Sequence, residues 1–354
     1  MLFNQQNLLS IAVCTALLGL SGCTQKPAET TNSPTAGSST TTTSSSNTAT
    51  AGGNKYLAIT AIVEHPALDM VRQAALEELA AQGYKEGQNL KVNFQSAQGN
   101  SSTAGQIAKQ FAGENPDAIL AISTPSAQSV IASTQTIPVV FSAVTDPVTA
   151  KLVPSWAPSN TNVTGVSDKL PIAPQIELIK KIIPHVKNIG YVYSPGEVNS
   201  TLVLKELQAT LAPMGINVVP APAQKTTDIA MAARSLQGKV DVIYTSLDNN
   251  VVSAYESLYQ AAKESKIPLV ASDTGSVARG AVAAMGVNYH SVGIETGKII
   301  GRIFKGEKPG TIATNSIQVL DLYVSPNHAK EVGLTLPQEV IAQAKEVEPK
   351  PKAK

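Results

Sequence analysis

The chain has 354 residues, of which 43% are hydrophobic and 15% charged, and this composition and length indicate a globular protein of about two domains. The formal net charge of +1 excludes the electrostatic footprint of a nucleic-acid-binding protein or of one held on an anionic membrane surface. Both cysteines, Cys14 and Cys23, precede residue 24, and the four histidines are widely spaced, so we expect neither a metal site nor a cofactor.

The N-terminal segment has the pattern of an export signal. Residues 8–20 form an apolar run that is too short for a membrane span, which needs about twenty residues, but suits a secretory signal. The residues before it contain no Lys or Arg, which departs from the usual pattern. The sequence LSGC that ends at Cys23 resembles the bacterial lipobox. We predict a lipoprotein signal peptide over 1–22 and a lipid on Cys23; the alternative is an ordinary signal peptide with a chance Cys.

The segment 23–54 that follows is rich in Ser and Thr. From 31 to 54 it holds no charge and no aliphatic residue larger than Ala, apart from one Pro. Such a composition cannot bury enough apolar surface to offset the entropy of ordering. We therefore predict a disordered tether with a reach of about 30 Å, which would anchor an exported domain to a bacterial membrane. A glycosylated stalk is the alternative, but it requires a eukaryotic host.

From residue 56 onward, short apolar runs alternate with helical patterns, and the second half repeats the plan of the first. Strands are predicted at 56–63, 89–94, 117–123 and 137–144 in the first half, and at 188–194, 216–219, 241–247 and 267–272 in the second. Strand–helix alternation predicts parallel sheets with crossover helices. The sequence therefore predicts an α/β protein with two similar lobes.

Polar residues follow the predicted strands at equivalent places in both halves. They are Glu64, His65, Ser123, Thr124 and Asp146 in the first half, and Glu197, Asn199, Asp248, Asn249 and Asp273 in the second. In open α/β sheets, ligands bind outside the carboxyl ends of the strands. Two lobes whose carboxyl edges face each other would therefore form a cleft lined by these residues.

The charges of these residues favour a zwitterionic ligand. Ser123 and Thr124 precede a helix whose N-terminus could bind a carboxylate, although an ordinary N-cap explains them equally well. Asp248 and Asp273 suit an ammonium group, with Glu197 as a competing candidate and a capped turn as the alternative for Asp248. A ligand held by both kinds of group would be an amino acid.

Two further sets of residues have alternative interpretations. Phe141 and Tyr193 stand near strand ends and are candidates for contact with an aromatic ligand, or they belong to the core. Glu64 and His65, with Asp69 nearby, could form an acid/base group. No nucleophile elbow, HExxH motif or phosphate loop accompanies them in the sequence, and a strand end followed by a helix start is the alternative.

Eight stretches in one order resemble a single family. They are IVEHPALD, NFQSAQGN, AISTPSAQS, VVFSAVTDPV, NVTGVSD, YSPGEVNS, DVIYTSLDNNVVSA and SVARGAVAAMGVNY, and the resemblance covers about residues 56–340. The chain resembles the solute-binding lipoproteins of bacterial ABC importers, a family that includes binders of tryptophan and other aromatic amino acids. The resemblance implies a periplasmic-binding-protein-like fold of the first type, with two Rossmann-like parallel-sheet lobes and three crossing strands.

The predicted domain limits follow from placing these crossings near 163–168, 286–289 and 320–324. Lobe 1 would comprise 55–166 plus 288–320, lobe 2 would comprise 167–287 plus 321–345, and a disordered tail would occupy 346–354.

The resemblance also implies a function. The protein would be a lipid-anchored receptor without enzymatic activity that captures a small solute between its lobes and delivers it to a membrane permease. An amino acid is expected, with an aromatic one such as tryptophan favoured. We expect a monomer that binds neither metal nor nucleic acid. The alternatives are a ligand-sensing ectodomain that serves a signalling receptor and a hydrolase that uses Glu64 and His65.

Overall fold

The computed structural model describes residues 53–348. The predicted signal peptide, the lipidation site Cys23, nearly all of the tether and residues 349–354 lie outside the described residues. Within 53–348, none of the helices combines the length and the apolar character that a membrane span requires.

The described residues form strands and helices in alternation. The strands are β1 Lys55–Ala61, β2 Leu90–Ser96, β3 Ala118–Ile122, β4 Val139–Val144, β5 Val163–Ser167, β6 Asn188–Tyr193, β7 Asn217–Pro222, β8 Val242–Thr245, β9 Leu269–Ala271, β10 Ala283–Val287, β11 Asn315–Ser316, β12 Leu320–Val324 and β13 Glu346–Val347. The α-helices are α1 Pro66–Ala81, α2 Ser101–Glu114, α3 Thr124–Ile131, α4 Ile172–Ile182, α5 Val198–Leu211, α6 Ile229–Arg234, α7 Asn249–Ser253, α8 Tyr255–Glu264, α9 Tyr289–Phe304, α10 Pro326–Glu331 and α11 Gln338–Gln343.

The strands form two separate sheets, each of which is the centre of one lobe. Lobe 1 is built on the order β11-β5-β4-β3-β1-β2, and lobe 2 on the order β13-β12-β10-β9-β8-β6-β7. All pairings are parallel except that of β10 with β12. The chain passes between the sheets three times: from β5 to β6, from β10 to β11 and from β11 to β12. The predicted α/β fold with two parallel-sheet lobes is confirmed.

Continuous apolar strands place both sheets between helices. Every residue of β3 and β4 is buried. Strands that are buried on both faces read as uninterrupted apolar runs, because helices cover each side of a parallel sheet. Lobe 1 accordingly has one core cluster that includes α1 and α9 and another that includes α2 and α3, and lobe 2 has a similar pair.

Helix α9 follows β10 of lobe 2 along the chain but packs on lobe 1. Its glycines face α1 so closely that a Cβ atom at Gly293 would lie 2.5 Å from the Val71 carbonyl oxygen. A Cβ atom at Gly297 would lie 2.7 Å from the Ala75 carbonyl oxygen. The absence of side chains at these positions lets the two helices meet backbone to backbone, which holds the end of the second crossing in place.

The end of the described chain corrects one expectation. The tail predicted to be disordered from 346 is in fact ordered as far as 348, because β13 pairs in parallel with β12. The Glu348 carboxylate accepts hydrogen bonds from Ser325 Oγ at 3.0 Å and from the Asn327 backbone N–H at 2.8 Å. A strand of two residues has no periodic pattern, so these tertiary contacts had no signal in the sequence.

Candidate functional site

The carboxyl edges of the two sheets line one cavity between the lobes. Its walls are formed on the side of lobe 1 by His65, Ala67, Leu68, Ala143, Asp168 and Tyr289, and on the side of lobe 2 by Leu247, Asn249, Val252 and Asp273. The free volume that remains is about 10 Å³, room for about one water molecule. The lobes are therefore closed around this position, which is where the topology of parallel sheets predicts a ligand.

Asp168, directly after β5, has one carboxylate oxygen atom that is paired and one that is not. The residue is 2% exposed, and its Oδ2 accepts a hydrogen bond from Tyr289 Oη at 3.1 Å. Its Oδ1 is buried and forms no hydrogen bond of regular geometry with the described residues, although the Thr145 hydroxyl lies close enough to lower the pKa of the carboxyl group. Burial raises the pKa of Asp168 to about 6. A buried carboxylate oxygen without a regular hydrogen bond is unfavourable, so the site suits a ligand that supplies one.

Asp273, after β9, is the second carboxylate of the cavity. It accepts hydrogen bonds from the Gly275 N–H at 3.1 Å and from Ser276 Oγ at 3.0 Å. Burial raises its pKa. Burial, and then the charges of Asp168 and Asp273, raise the pKa of Tyr289 well above its usual value. The Asp168 and Asp273 carboxyl groups therefore both interact electrostatically with the Tyr289 phenol at this end of the cavity.

His65 directly precedes α1, in the segment that follows β1. Its imidazole lines the cavity, is 8% exposed, and has an Nδ1 atom without a hydrogen-bond partner in the described chain. Burial, and then the charge of Arg279, lower the pKa of His65 to about 3. The imidazole is therefore neutral at physiological pH.

Ser123 and Thr124 begin α3 at the end of β3, which lies between β1 and β4. Ser123 has a positive φ of 81°, and the neighbouring Ala143 one of 52°. Such conformations cost of order 1–3 kcal/mol in a non-glycine residue and cluster at binding sites. The Ser123 hydroxyl is buried without a partner among the described residues. Together with the unpaired N–H groups of a first helical turn, it offers hydrogen bonds to an anion.

Asp248 has a different position from the one expected. Its carboxylate is fully buried and accepts hydrogen bonds from the Ser194 N–H at 2.6 Å, Ser194 Oγ at 2.9 Å and the Val251 N–H at 3.0 Å. These donors tie the loop after β6 to the start of α7. Asp248 therefore caps α7, which is the alternative given for it, whereas Asp168 lines the cavity with an Oδ1 atom that forms no hydrogen bond of regular geometry.

Glu197 lies behind the cavity wall and contacts Asn249, which is part of that wall. Glu197 Oε2 accepts hydrogen bonds from Asn249 Nδ2 at 2.6 Å and from Asn199 Nδ2 at 2.9 Å. Burial, and then the charge of Asp248, raise the pKa of Glu197 to about 8. Asn249 itself lines the cavity, so Glu197 fixes the orientation of a cavity residue. Asn199 lines a second small cavity that shares Leu247 with the first.

Of the twelve predicted site residues, three line the cavity, His65, Asn249 and Asp273, and the other nine, Ser123 and Thr124 included, do not. Glu64, Asp146, Phe141 and Tyr193 are among the nine. Glu64 is exposed and accepts a hydrogen bond from Gln98. The Asp146 carboxylate forms an ion pair with Lys169, with 2.7 Å between Oδ2 and Nζ, and accepts hydrogen bonds from two backbone N–H groups of its own loop. Phe141 is fully buried in the core of lobe 1, and Tyr193 stacks on Tyr191 with ring centroids 5.9 Å apart. Strand β4 is buried on both faces, so the sequence does not show which face Phe141 takes.

The sequence contained a partial signal for the residues that were missed. Asp168 ends the apolar strand β5 just as Asp273 closes β9, but it stands within a predicted crossing and was not treated as a strand end. Tyr289 likewise stands close to a strand end, because it begins α9 two residues after the last residue of β10. Within 53–348, no three His, Cys, Asp or Glu side chains converge as a metal site would require.

Comparison with known proteins identifies relatives over almost the whole described chain. A family model described as ABC transporter substrate binding protein matches residues 56–348. The tyrosine-binding protein of Clostridioides difficile is 36% identical over 280 residues, which cover 79% of this chain and 81% of that protein.

Two solved structures are also similar. The ABC domain from Streptococcus pneumonia, solved in complex with L-Trp, is 33% identical, with a TM-score of 0.80 over 83% of this chain and 100% of that one. The ligand-free, open structure of a substrate-binding protein with adhesive properties from Clostridium difficile is 36% identical, with a TM-score of 0.63 over 84% of this chain and 100% of that one.

Proposed function

The chain belongs to the ABC transporter substrate-binding protein family, and we propose that it captures an α-amino acid with an aromatic side chain. The observation that carries this proposal is the composition of the cavity between the lobes. Buried carboxylates stand at one end, at Asp168 and Asp273, and apolar side chains such as Leu68 and Leu247 form much of the remaining wall. The relatives that bind tyrosine and tryptophan support the same class of ligand.

The proposed binding mode assigns each end of the ligand to one set of groups. The ammonium group donates to Asp168 Oδ1, which otherwise forms no hydrogen bond of regular geometry, and lies near Asp273. The ligand carboxylate binds at the N-terminus of α3, where the Ser123 hydroxyl and helical N–H groups are available. The aromatic ring then lies against the apolar wall between α1 and the loop after β8.

Capture and release depend on rotation of the lobes about the three crossings. Ligand that contacts both lobes favours the closed state by its differential affinity for that state. We propose that the closed receptor, a monomer without catalytic activity, delivers the amino acid to an ABC permease. A lipid on Cys23 would hold it at the membrane, and the tether over 23–54 would leave it free to rotate and dock.

Isothermal titration calorimetry tests the proposal. We expect L-tyrosine or L-tryptophan to bind, and the matching des-amino acids, which lack the ammonium group, to bind at least about 10-fold more weakly. Asp168→Asn should weaken binding of the amino acid by about 10- to 100-fold, because it replaces the ion pair with a neutral contact. The control Asp69→Asn, which alters a surface ion pair with Arg72, should retain full affinity. Failure of every aromatic amino acid to bind, or full affinity of Asp168→Asn, would refute the proposal.

A further inference from the structure

His65 is a polar side chain in a largely apolar part of the cavity wall. It directly precedes α1, whose Ala67 and Leu68 line the same cavity, and Val252 faces it from lobe 2. The imidazole is more than nine-tenths buried, and its Nδ1 has no hydrogen-bond partner in the described chain. Nearly all buried polar atoms in proteins are paired, so an unpaired one beside a ligand cavity points to a partner supplied by the ligand.

The positions of His65 and Asp168 determine how a bound ligand is oriented in the cavity. Asp168 follows β5 and His65 follows β1, and the strands β4 and β3 lie between them in the sheet. Neighbouring strands are about 4.8 Å apart, so the ends of β5 and β1 are separated by three strand spacings, about 14 Å, along the carboxyl edge. A ligand whose ammonium group is held at Asp168 therefore directs its side chain toward His65.

The charge of His65 restricts the group that it can recognise. The imidazole is neutral, since burial and the nearby Arg279 disfavour the protonated form. A neutral imidazole has one unprotonated nitrogen, which accepts a hydrogen bond, and one N–H group. It complements a neutral donor such as a phenol O–H or an indole N–H, whereas a plain phenyl ring would leave the imidazole unpaired.

We infer that His65 determines specificity, by selecting aromatic amino acids whose ring carries a hydrogen-bond donor over phenylalanine. The inference rests on the proposed function and refines its ligand class. A site that is built to pair with a ligand O–H or N–H discriminates strongly against an analogue without it, because its own buried polar group is then left unpaired.

The experiment measures the affinities of L-tyrosine, L-tryptophan, L-phenylalanine and 4-fluorophenylalanine for the full-length protein by calorimetry. The fluorinated ligand has nearly the shape of tyrosine but lacks the O–H donor. We expect the better of tyrosine and tryptophan to bind at least about 10-fold more tightly than both ligands without a donor. In His65→Phe this preference should fall below about 3-fold, and in His65→Gln, whose amide oxygen accepts hydrogen bonds, part of it should remain.

The outcomes separate the two proposals. If the wild-type protein binds none of the four ligands, the proposed function fails together with the inference. If it binds phenylalanine as tightly as tyrosine and tryptophan, or if His65→Phe keeps the full preference, the inference alone is refuted. The comparison of 4-fluorophenylalanine with tyrosine needs no variant, so the preference for a donor is tested even should His65→Phe fail to fold. A full preference in His65→Phe or in a folded His65→Ala would show that His65 is not its cause.

Discussion

At the scale of single residues, the buried acids behind the cavity give the protein a pH-dependent stability. Burial and the charge of Asp248 raise the pKa of Glu197 from its usual 4.5 to about 8. Between these two pH values, the folded protein holds a proton that the unfolded chain has released. The contribution of Glu197 to the free energy of unfolding therefore falls as pH rises through this window, by up to about 1.4 kcal/mol per pH unit.

Glu197→Gln tests this prediction. The amide oxygen can still accept from Asn199 and Asn249, but the side chain cannot ionise. Measured by urea unfolding, the variant should gain stability relative to the wild type as the pH is raised from 5 to 8. The control Glu64→Gln, at an exposed carboxylate, should run parallel to the wild type across the same range. Parallel profiles for Glu197→Gln and the wild type would show that the acid pair does not titrate in this window.

The same residues show how far sequence reasoning reaches at this scale. His65 and Asp273 were predictable, since polar residues that follow buried strands collect at the carboxyl edge of a sheet. The role of Asp248 was not, because its carboxylate is occupied by Ser194, more than fifty residues earlier in the chain. The unpaired oxygen of Asp168 is likewise a property of its surroundings, and no residue type or spacing indicates it.

At the scale of elements, the contact between α1 and α9 depends on glycine. A Cβ atom at Gly297 would lie 2.7 Å from both the Ala75 carbonyl oxygen and the Glu78 Cβ atom. Gly297→Ala should therefore force the helices apart and lower the free energy of unfolding by about 1–3 kcal/mol. Gly105→Ala in α2 is the matched control: nothing lies within 4 Å of the added methyl group, so stability should rise by about 0.5–1 kcal/mol.

Denaturant unfolding of the two glycine variants measures the difference directly. If Gly297→Ala is as stable as Gly105→Ala, the close approach of α9 to α1 is not what holds the second crossing to lobe 1. Ligand affinity of Gly297→Ala should fall as well, because Tyr289, which donates to Asp168, begins the same helix.

Elements differ in how strongly the sequence specifies them. Strand β3 was predictable because it is a continuous apolar run between helical patterns, and β4 because only Ser142 interrupts its apolar run. Strands β11 and β13 were not predictable, since each has two residues and owes its conformation to pairing with β5 or β12. Their positions are set by tertiary contacts, which override local preference in short strands.

At the scale of the whole molecule, the two lobes are arranged as in a ligand-bound relative. The chain superposes with a TM-score of 0.80 on the complex with L-Trp and 0.63 on the ligand-free, open structure, although the sequence identities are 33% and 36%. The small free volume of the cavity agrees with a closed arrangement. The sequence predicted the two lobes and the cleft, but an equilibrium between open and closed states depends on contacts that only the folded molecule brings together.

One such contact lies at Lys169, just after the first crossing. Its Nζ atom is 2.7 Å from Asp146 Oδ2 in lobe 1 and 3.3 Å from Glu206 Oε1 on α5 of lobe 2, so it bridges the lobes in the closed arrangement. Partly exposed ion pairs contribute about 0–1 kcal/mol, and removal of this one should shift the closed-to-open ratio by at most about 5-fold. Glu206→Gln breaks the bridge on one side only.

We expect Glu206→Gln to increase the radius of gyration of the ligand-free protein in small-angle X-ray scattering and to weaken ligand binding by the factor by which the closed fraction falls. Saturating ligand should restore the compact form, because the ligand still contacts both lobes. Glu264→Gln removes an exposed ion pair with Arg234 within lobe 2 and should change neither quantity. An unchanged radius and affinity in Glu206→Gln would mean that closure depends on the cavity residues alone. In a two-state equilibrium, a smaller closed fraction must lower the apparent affinity for the ligand. A larger radius with unchanged affinity would therefore contradict the proposal that closure and ligand binding are linked.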